Sequence, residues 1–398
     1  MDSKNSLQEK AGPVVGHLLA HAGMGGAETY VALLANTRAA EGRGSRVVVL
    51  SHPGPVSGRF DPRVELTYLG YQRASIRNPF RFIFSILRGY RLIAKAVDDL
   101  GIDVLQTHLP DTNLWGLALS LSRRCQVVVT IHNNKFLRGT EKRSVANAIK
   151  LKAYRMMFTR CAAVVTVSHE VRNSLLSSLE ITGPAADSVV VVENGVTIPP
   201  LLDTQEKSAV RKRFGVGTET FWILAAGRLT EAKNFKCLVS AVSLLREDVP
   251  NLQVLIAGEG NLRDDLERQV SDLGLNEVVK LPGNLNDLSD IMQAADLLAM
   301  PSLWEGLPLV LLEAMAGGLP VVGTRINGLV DIIEEGVHGL LVDTDDSEAM
   351  AEGIRTLALQ PEDLASMGHT CREFVIGKYD FARVYREVCS VYDGAISR

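Results

Sequence analysis

The feature that most constrains this chain is a sustained alternation of short β-branched runs with longer stretches of helical periodicity, running from about residue 14 to residue 343. Apolar runs with no polar face suit strands buried on both sides, and the intervening helices supply the cover, so an α/β fold with parallel sheets is expected. In the first half the strands are read at VVGHLLA, RVVVLS, DVLQTH, QVVVTIH, AAVVTVS and VVVVEN. In the second they are read at FWILAAG, LQVLIAG, VVKLPG, LLAMPS, LPVVGT and GLLVD. A proline pair and a polar stretch at VTIPPLLDT, 196–204, interrupt the alternation and mark a boundary.

The expected architecture is two Rossmann-like doubly wound domains facing across a cleft, residues 1–198 and 199–380, with a ligand beyond the carboxyl ends of the strands. An amphipathic helix over 381–398 is expected to pack back on the first domain, and residues 1–11 to be disordered. Length supports the division: 398 residues exceed one ordinary core, and 46% apolar with 22% charged residues is a globular balance. No apolar run approaches the roughly 18 residues of a bilayer span. The start, MDSKNSLQEKAG, lacks the apolar stretch of a signal peptide, so a cytoplasmic location is expected. Cys125, Cys161, Cys237, Cys371 and Cys389 are scattered, odd in number and without a CxxC pair, which speaks against a disulfide framework or a zinc site.

The net charge of -4 conceals a division: residues 1–198 carry 24 Lys and Arg against 15 Asp and Glu, the remainder 18 against 31. Positive charge is densest over 73–95 and over 135–160, where Lys135, Arg138, Lys142, Arg143, Lys150, Lys152, Arg155 and Arg160 meet only Glu141. A nearby anion is expected.

Gly23-Met24-Gly25-Gly26-Ala27-Glu28 follows the first strand and opens a helix, where glycines let backbone amides approach an anion. A tight strand-to-helix turn is the other use of such a segment. A dinucleotide fingerprint wants glycine at position 28, and Glu28 is a poor neighbour for pyrophosphate, which disfavours an NAD-dependent dehydrogenase. After FWILAAG comes the loop Gly227-Arg228-Leu229-Thr230-Glu231-Ala232-Lys233-Asn234. Arg228 and Lys233 can converge there on one diphosphate, a planar fork and a point charge, or remain two solvated surface charges. Cations so placed stabilise the charge that builds on a leaving phosphate.

In PSLWEGLPLVLLEA, 301–314, Glu305 closes a loop and Gly306-Leu307-Pro308 leads into a helix whose first amides suit a phosphate. Glu313 lies about two turns on along that helix, in an otherwise apolar run where an unpaired carboxylate is costly. Such carboxylates accept hydrogen bonds from sugar and ribose hydroxyls. Asp343-Thr344-Asp345 has the DxD form of a metal site, yet it is far in sequence from these residues and is read as a helix cap, so no metal is expected.

Taken together, these residues resemble the retaining glycosyltransferases of family 4, which have the two-Rossmann GT-B architecture. The likeness runs from Gly25-Gly26-Ala27-Glu28 through Asn194-Gly195-Val196, Gly227-Arg228-Leu229 with Lys233, Gly258-Glu259-Gly260, Gly283 with Asn284, and Glu305 to Glu313. The resemblance implies that Arg228 and Lys233 bind the donor diphosphate, Glu313 the ribose and Glu305 the hydroxyls of the transferred sugar. It implies nucleobase contacts from the loop Gly283 to Leu285, closure over the phosphates by Gly25 and Gly26, and further donor contacts at Gly227, Gly258, Asn284, Gly306, Leu307, Pro308 and Leu309. The family's histidine near the transferred sugar falls on His132, which ends QVVVTIH, while His108 ends DVLQTH in the same manner with its role open. The catalytic set so implied is His132, Arg228, Lys233 and Glu305. The implied reaction is metal-free hexosyl transfer from a UDP- or GDP-linked sugar, with the leaving phosphate taking the acceptor's proton and no general base.

The implied acceptor is a saccharide or polyprenyl-linked molecule of cell-surface polysaccharide or glycolipid synthesis. Segment 73–95 interleaves arginines with Phe80, Phe82, Ile83, Phe84, Ile86, Leu87 and Leu92, which suits peripheral contact with an anionic membrane at its inner face. A core-packing helix with a solvated basic face suits it equally. No nucleic-acid-binding module is present and aromatic content is 6%, so nucleic acid is not an expected partner. Two other functions fit the fold: a nucleotide-sugar 2-epimerase, which needs acid and base groups at the sugar ring, and a non-catalytic sugar-nucleotide-binding subunit, which broken phosphate or glutamate motifs would favour.

Overall fold

The computed structural model describes residues 12–397 apart from 24, 76, 123, 133–144 and 286. The expectation of disorder over 1–11 and the basic residues Lys135, Arg138, Lys142 and Arg143 lie outside the described residues. The chain divides into two units, Met1–Glu193 with Val384–Arg398, and Asn194–Arg383.

In the first unit, β1 (Val15–Leu19), β2 (Ser45–Val49), β3 (Glu65–Tyr68), β4 (Val104–His108), β5 (Gln126–Ile131), β6 (Ala163–Thr166) and β7 (Val189–Val191) form one sheet in the order β3-β2-β1-β4-β5-β6-β7. Every pairing in it is parallel. Six of these strands match the alternation; β3 does not. Its sequence, ELTY, has a single neighbour at the sheet edge and only half-buried or exposed side chains, so it lacks the apolar run that marks the inner strands.

In the second unit, β8 (Phe221–Ala226), β9 (Leu252–Ala257), β10 (Val279–Gly283), β11 (Leu297–Met300), β12 (Val321–Thr324) and β13 (Gly339–Val342) form a parallel sheet in the order β10-β9-β8-β11-β12-β13. Successive side chains of a strand point to opposite faces, and β8 buries both. Trp222, Leu224 and Ala226 join a cluster with Leu298, Leu311 and Met315, whereas Ile223 and Ala225 join another with Leu238, Val242 and Ile354. Two apolar layers on one sheet are the packing of a doubly wound fold.

Strand order reverses between β1 and β4 in the first unit and between β8 and β11 in the second. Loops leaving the strands at such a reversal diverge to opposite faces and leave a crevice at their carboxyl ends. Arg228 and Lys233 follow β8, and Glu305 follows β11.

The last helix, Phe381–Ile396, contributes its length from Val384 onward to the first unit. Tyr392 donates from its hydroxyl to Gln106 Oε1 at 2.5 Å, Gln106 donates to Thr130 Oγ1 at 2.8 Å, and Tyr385 donates to Glu41 at 2.9 Å. The helix Pro79–Asp99 starts at an Asn78 cap and buries Ser85, Gly89, Ile93, Ala96 and Val97. Phe80, Ile83, Phe84 and Leu87, spaced as one helical stripe, are exposed to 86%, 58%, 67% and 52%. Neither expectation for this segment describes it fully: its C-terminal half packs, and its first half presents apolar side chains among arginines to solvent.

Candidate active site

Gly227 to Asn234 leave the end of β8 and Pro301 to Pro308 leave the end of β11, the two strands that flank the reversal in the second unit. A backbone bond from Leu303 N to Ala232 O at 2.9 Å ties the loops together. The tie brings Lys233 to Glu305: Nζ donates to Oε1 at 2.5 Å, with 17% and 13% of the side chains exposed. Ser302 Oγ donates to the same oxygen at 2.8 Å, and Thr324 Oγ1 donates to the carbonyl of Ser302. Charge-assisted bonds partly out of water are short and directional, so this arrangement holds the lysine in one pose.

Arg228 lies on the same loop with its side chain exposed and makes no ion pair among the described residues. The two cations are therefore held differently: Lys233 is fixed by a carboxylate, and Arg228 faces solvent. Glu313 is half-buried between Leu312 and Ala314, in a helix that begins at Leu309. That start corrects the distance expected from sequence, for Glu313 lies just over one turn inside the helix. The Gly306-Leu307-Pro308 step, which bends at Gly306 and Leu307, takes up the rest of the spacing from Glu305.

Glycine 258 is required by packing. Its φ is +146°, and a Cβ there would come within 1.9 Å of Gly227 O. Gly227 N donates to Ala257 O, and Gly258 N donates to Gly283 O at 2.8 Å, so the ends of β8, β9 and β10 are laced backbone to backbone beneath Arg228 and Asn284. Asn284 and Leu285 follow Gly283 directly. Gly328 has a comparable part on the other side, since its Cβ would meet Gly306 O at 2.5 Å.

Asp343-Thr344-Asp345 does not cap a helix. Asp346 is the cap of Ser347–Ala358, its carboxylate accepting from Ala349 N at 2.8 Å. Asp345 instead accepts from Asn234 Nδ2 at 3.0 Å, beside Lys233, and both residues have positive φ. Sequence distance hid this approach, because 111 residues separate the partners. Ser302 and Gly328 were also missed; nothing in a small polar residue or a lone glycine signals that it supports a glutamate. Among the described residues no group of His, Cys, Asp or Glu is placed to hold a metal.

In the first unit, Gly25 caps the helix Gly26–Ala40. The carboxylate of Glu28 folds back over the cap, its Oε2 within 2.3 Å of where a Gly25 Cβ would stand, so the positive helix end already has a negative side chain beside it. Deeper in this sheet, His17 Nδ1 is 3.2 Å from His108 Nε2, and His108 Nδ1 is 3.1 Å from His132 Nε2. Burial, then the charge of Arg38, lowers the pKa of His17 to about 3. Burial lowers that of His132 to about 4 and carries that of His108 well below the ordinary value, with His132 and His17 adding to the effect on His108. All three rings are neutral near pH 7. The structure thus joins His108 to His132, and it adds His17, whose place inside an apolar strand run gave it no signal.

Residues 206–374 match the family model described as glycosyl transferases group 1, and residues 24–198 match that of glycosyltransferase family 4. An uncharacterized glycosyltransferase of Methanocaldococcus jannaschii is 30% identical over 307 residues, which cover 75% of this chain and 77% of that one. The UDP-Gal:alpha-D-GlcNAc-diphosphoundecaprenol alpha-1,3-galactosyltransferase of Escherichia coli is 24% identical over 87% of this chain and 88% of its own length. Among solved structures, Anabaena HepE in complex with UDP and glucose superposes with a TM-score of 0.80 at 21% identity, covering 96% of this chain and 99% of that one. The sucrose-phosphate synthase of Thermosynechococcus elongatus gives the same TM-score at 18% identity, covering 96% and 99%.

Proposed function

The chain belongs to the glycosyl transferases group 1 family, and from that premise we propose that it moves a hexosyl group, with retention at the anomeric carbon, from a UDP- or GDP-linked sugar to a saccharide or polyprenyl-linked acceptor. The observation that carries this reading is the Lys233–Glu305 pair at the strand-order reversal of the second unit, with Arg228 on the same loop. Arg228 and Lys233 meet the diphosphate, Glu305 the sugar hydroxyls, Glu313 the ribose, and Asn284 with Leu285 the nucleobase. The bond from the anomeric carbon to the leaving phosphate oxygen breaks as the acceptor oxygen bonds on the same face. The leaving phosphate takes the acceptor's proton, and the two cations offset the charge it gains.

His132 bonds no carboxylate among the described residues and is held neutral, which suits a hydrogen-bonding contact to the sugar better than proton abstraction. With two cations and the amides at the start of Leu309–Ala316 available, no divalent ion is assigned, and activity is expected to persist in excess chelator. The Escherichia coli relative acts, by its name, on a diphosphoundecaprenol-linked sugar with UDP-Gal, and HepE was solved with UDP; these make UDP-hexoses and lipid-linked saccharides the first compounds to try. The related proteins are transferases, so neither the 2-epimerase nor the non-catalytic reading draws support from them. The stripe of Phe80, Ile83, Phe84 and Leu87 among Arg77, Arg81 and Arg88 supports docking on an anionic membrane, where a lipid-linked acceptor would lie. A thermal-shift screen against UDP, GDP and ADP sugars, followed by transfer assays with the stabilising donor, tests the reading. Stabilisation by none of them would defeat it.

A further inference from the structure

The line His17–His108–His132 carries more than burial requires. A hydrogen bond between two imidazole nitrogens holds one proton, and a neutral ring carries one N–H in all. The two bonds of the line are therefore coupled. If His17 Nδ1 donates to His108 Nε2, then His108 must donate from Nδ1 to His132 Nε2, and the proton of His132 sits on its outer nitrogen, Nδ1. If the donors run the other way, His132 spends its proton on His108, and Nδ1 keeps a lone pair.

Arg38 distinguishes the two directions. Its backbone anchors, Pro13 and Gly44, stand at the start of β1 and β2, whereas His132 follows the end of β5 in the same parallel sheet, so the cation lies nearer the His17 end of the line, and its charge adds to burial in lowering the pKa of His17. It is itself fixed there, with Nε donating to Gly44 O at 2.9 Å and a second nitrogen to Pro13 O. Three imidazole dipoles aligned head to tail place an acceptor end against a nearby cation more favourably than a donor end. The donors accordingly point away from Arg38, toward His132.

Resting on the assignment of His132 to the sugar, we propose that His17 and His108 are positioning residues that fix His132 as the Nδ1–H tautomer, so that it offers a hydrogen-bond donor, not a base, to an oxygen of the bound sugar. A tautomer held by neighbours in advance needs no rearrangement when the ligand arrives.

Long-range proton–nitrogen spectra of the full chain labelled with 15N-histidine test this directly, with His132 assigned from the signals missing in His132→Asn. The expected spectrum shows His132 neutral and protonated at Nδ1. Protonation at Nε2, or an imidazolium, overturns the proposal whatever the activity. In His17→Leu the donor is lost, and His132 is expected to move to the Nε2–H form with kcat reduced about tenfold and donor KM unchanged. His17→Asn, whose amide can donate from the place of Nδ1, is expected to restore both; an unchanged tautomer in His17→Leu overturns the coupling. Should the variants not fold, the wild-type spectrum decides alone. A His132→Asn enzyme with undiminished kcat would remove the sugar contact while leaving the tautomer observation standing, which keeps the two failures apart.

Discussion

Lys233 Nζ stands 2.5 Å from Glu305 Oε1 although 72 residues separate them, because the loops carrying them leave two hydrogen-bonded strands, β8 and β11. The carboxylate orients the lysine, and Ser302 orients the carboxylate. A cation set in place in advance contributes its full stabilisation to charge that develops later. The geometry therefore separates the two cations of the loop, with Lys233 held by Glu305 and Arg228 exposed and without an ion pair among the described residues.

Lys233→Ala should lower kcat by about 10²- to 10³-fold, the loss seen when one preorganised donor is removed from a developing anion. Lys233→Arg should not restore it, because a planar fork cannot occupy the point position between Ser302, Glu305 and a phosphate. Steady-state kinetics with the donor found by thermal shift checks both; a rise in KM alone, with kcat intact, would contradict the assignment.

Gly258→Ala should destabilise the second unit by about 2–4 kcal/mol, since a Cβ 1.9 Å from Gly227 O forces the laced strand ends apart. A drop of several degrees in melting temperature is expected. Because Arg228 follows Gly227 directly, donor affinity should fall with it.

Stability should decline in acid through the buried histidines. Unfolded histidines take up protons below their ordinary pKa of 6.5, while the native rings refuse them until about 4 at His132 and about 3 at His17. Their contribution is complete above pH 6.5 and is lost as pH falls through this window, each such group adding a slope of about 1.4 kcal/mol per pH unit. Melting temperatures between about pH 7.5 and pH 5 read this out, and His132→Asn should flatten the curve.

Flotation with anionic vesicles at low salt should carry the protein upward. Replacing both Phe80 and Phe84 with serine should weaken that binding by about 2 kcal/mol or more, roughly thirtyfold. Neutral vesicles should not bind it, and an unchanged affinity in the double variant would discharge the stripe of its role.

Legibility followed burial and sequence range. The inner strands could be read because both their faces are apolar, as β8 is from Trp222 to Ala226, while β3 at the edge could not. Arg228, Lys233, Glu305 and Glu313 were visible as charged residues set in loops and apolar runs. Their pairing was not, since contact between Lys233 and Glu305, or Asn234 and Asp345, depends on strand order and not on spacing. His17 was hidden for the opposite reason: inside VVGHLLA it has the pattern of core, and its partner, His108, sits on another strand.

The return of the terminal helix to the first unit sets an order of events on the ribosome. Asn194–Arg383 is one continuous stretch and can close its sheet as soon as it emerges. The first unit, although translated earlier, waits for Tyr385 and Tyr392 to reach Glu41 and Gln106. Its buried Gln106 and Arg38 remain without that cover until then, so the half of the protein made first is the half finished last.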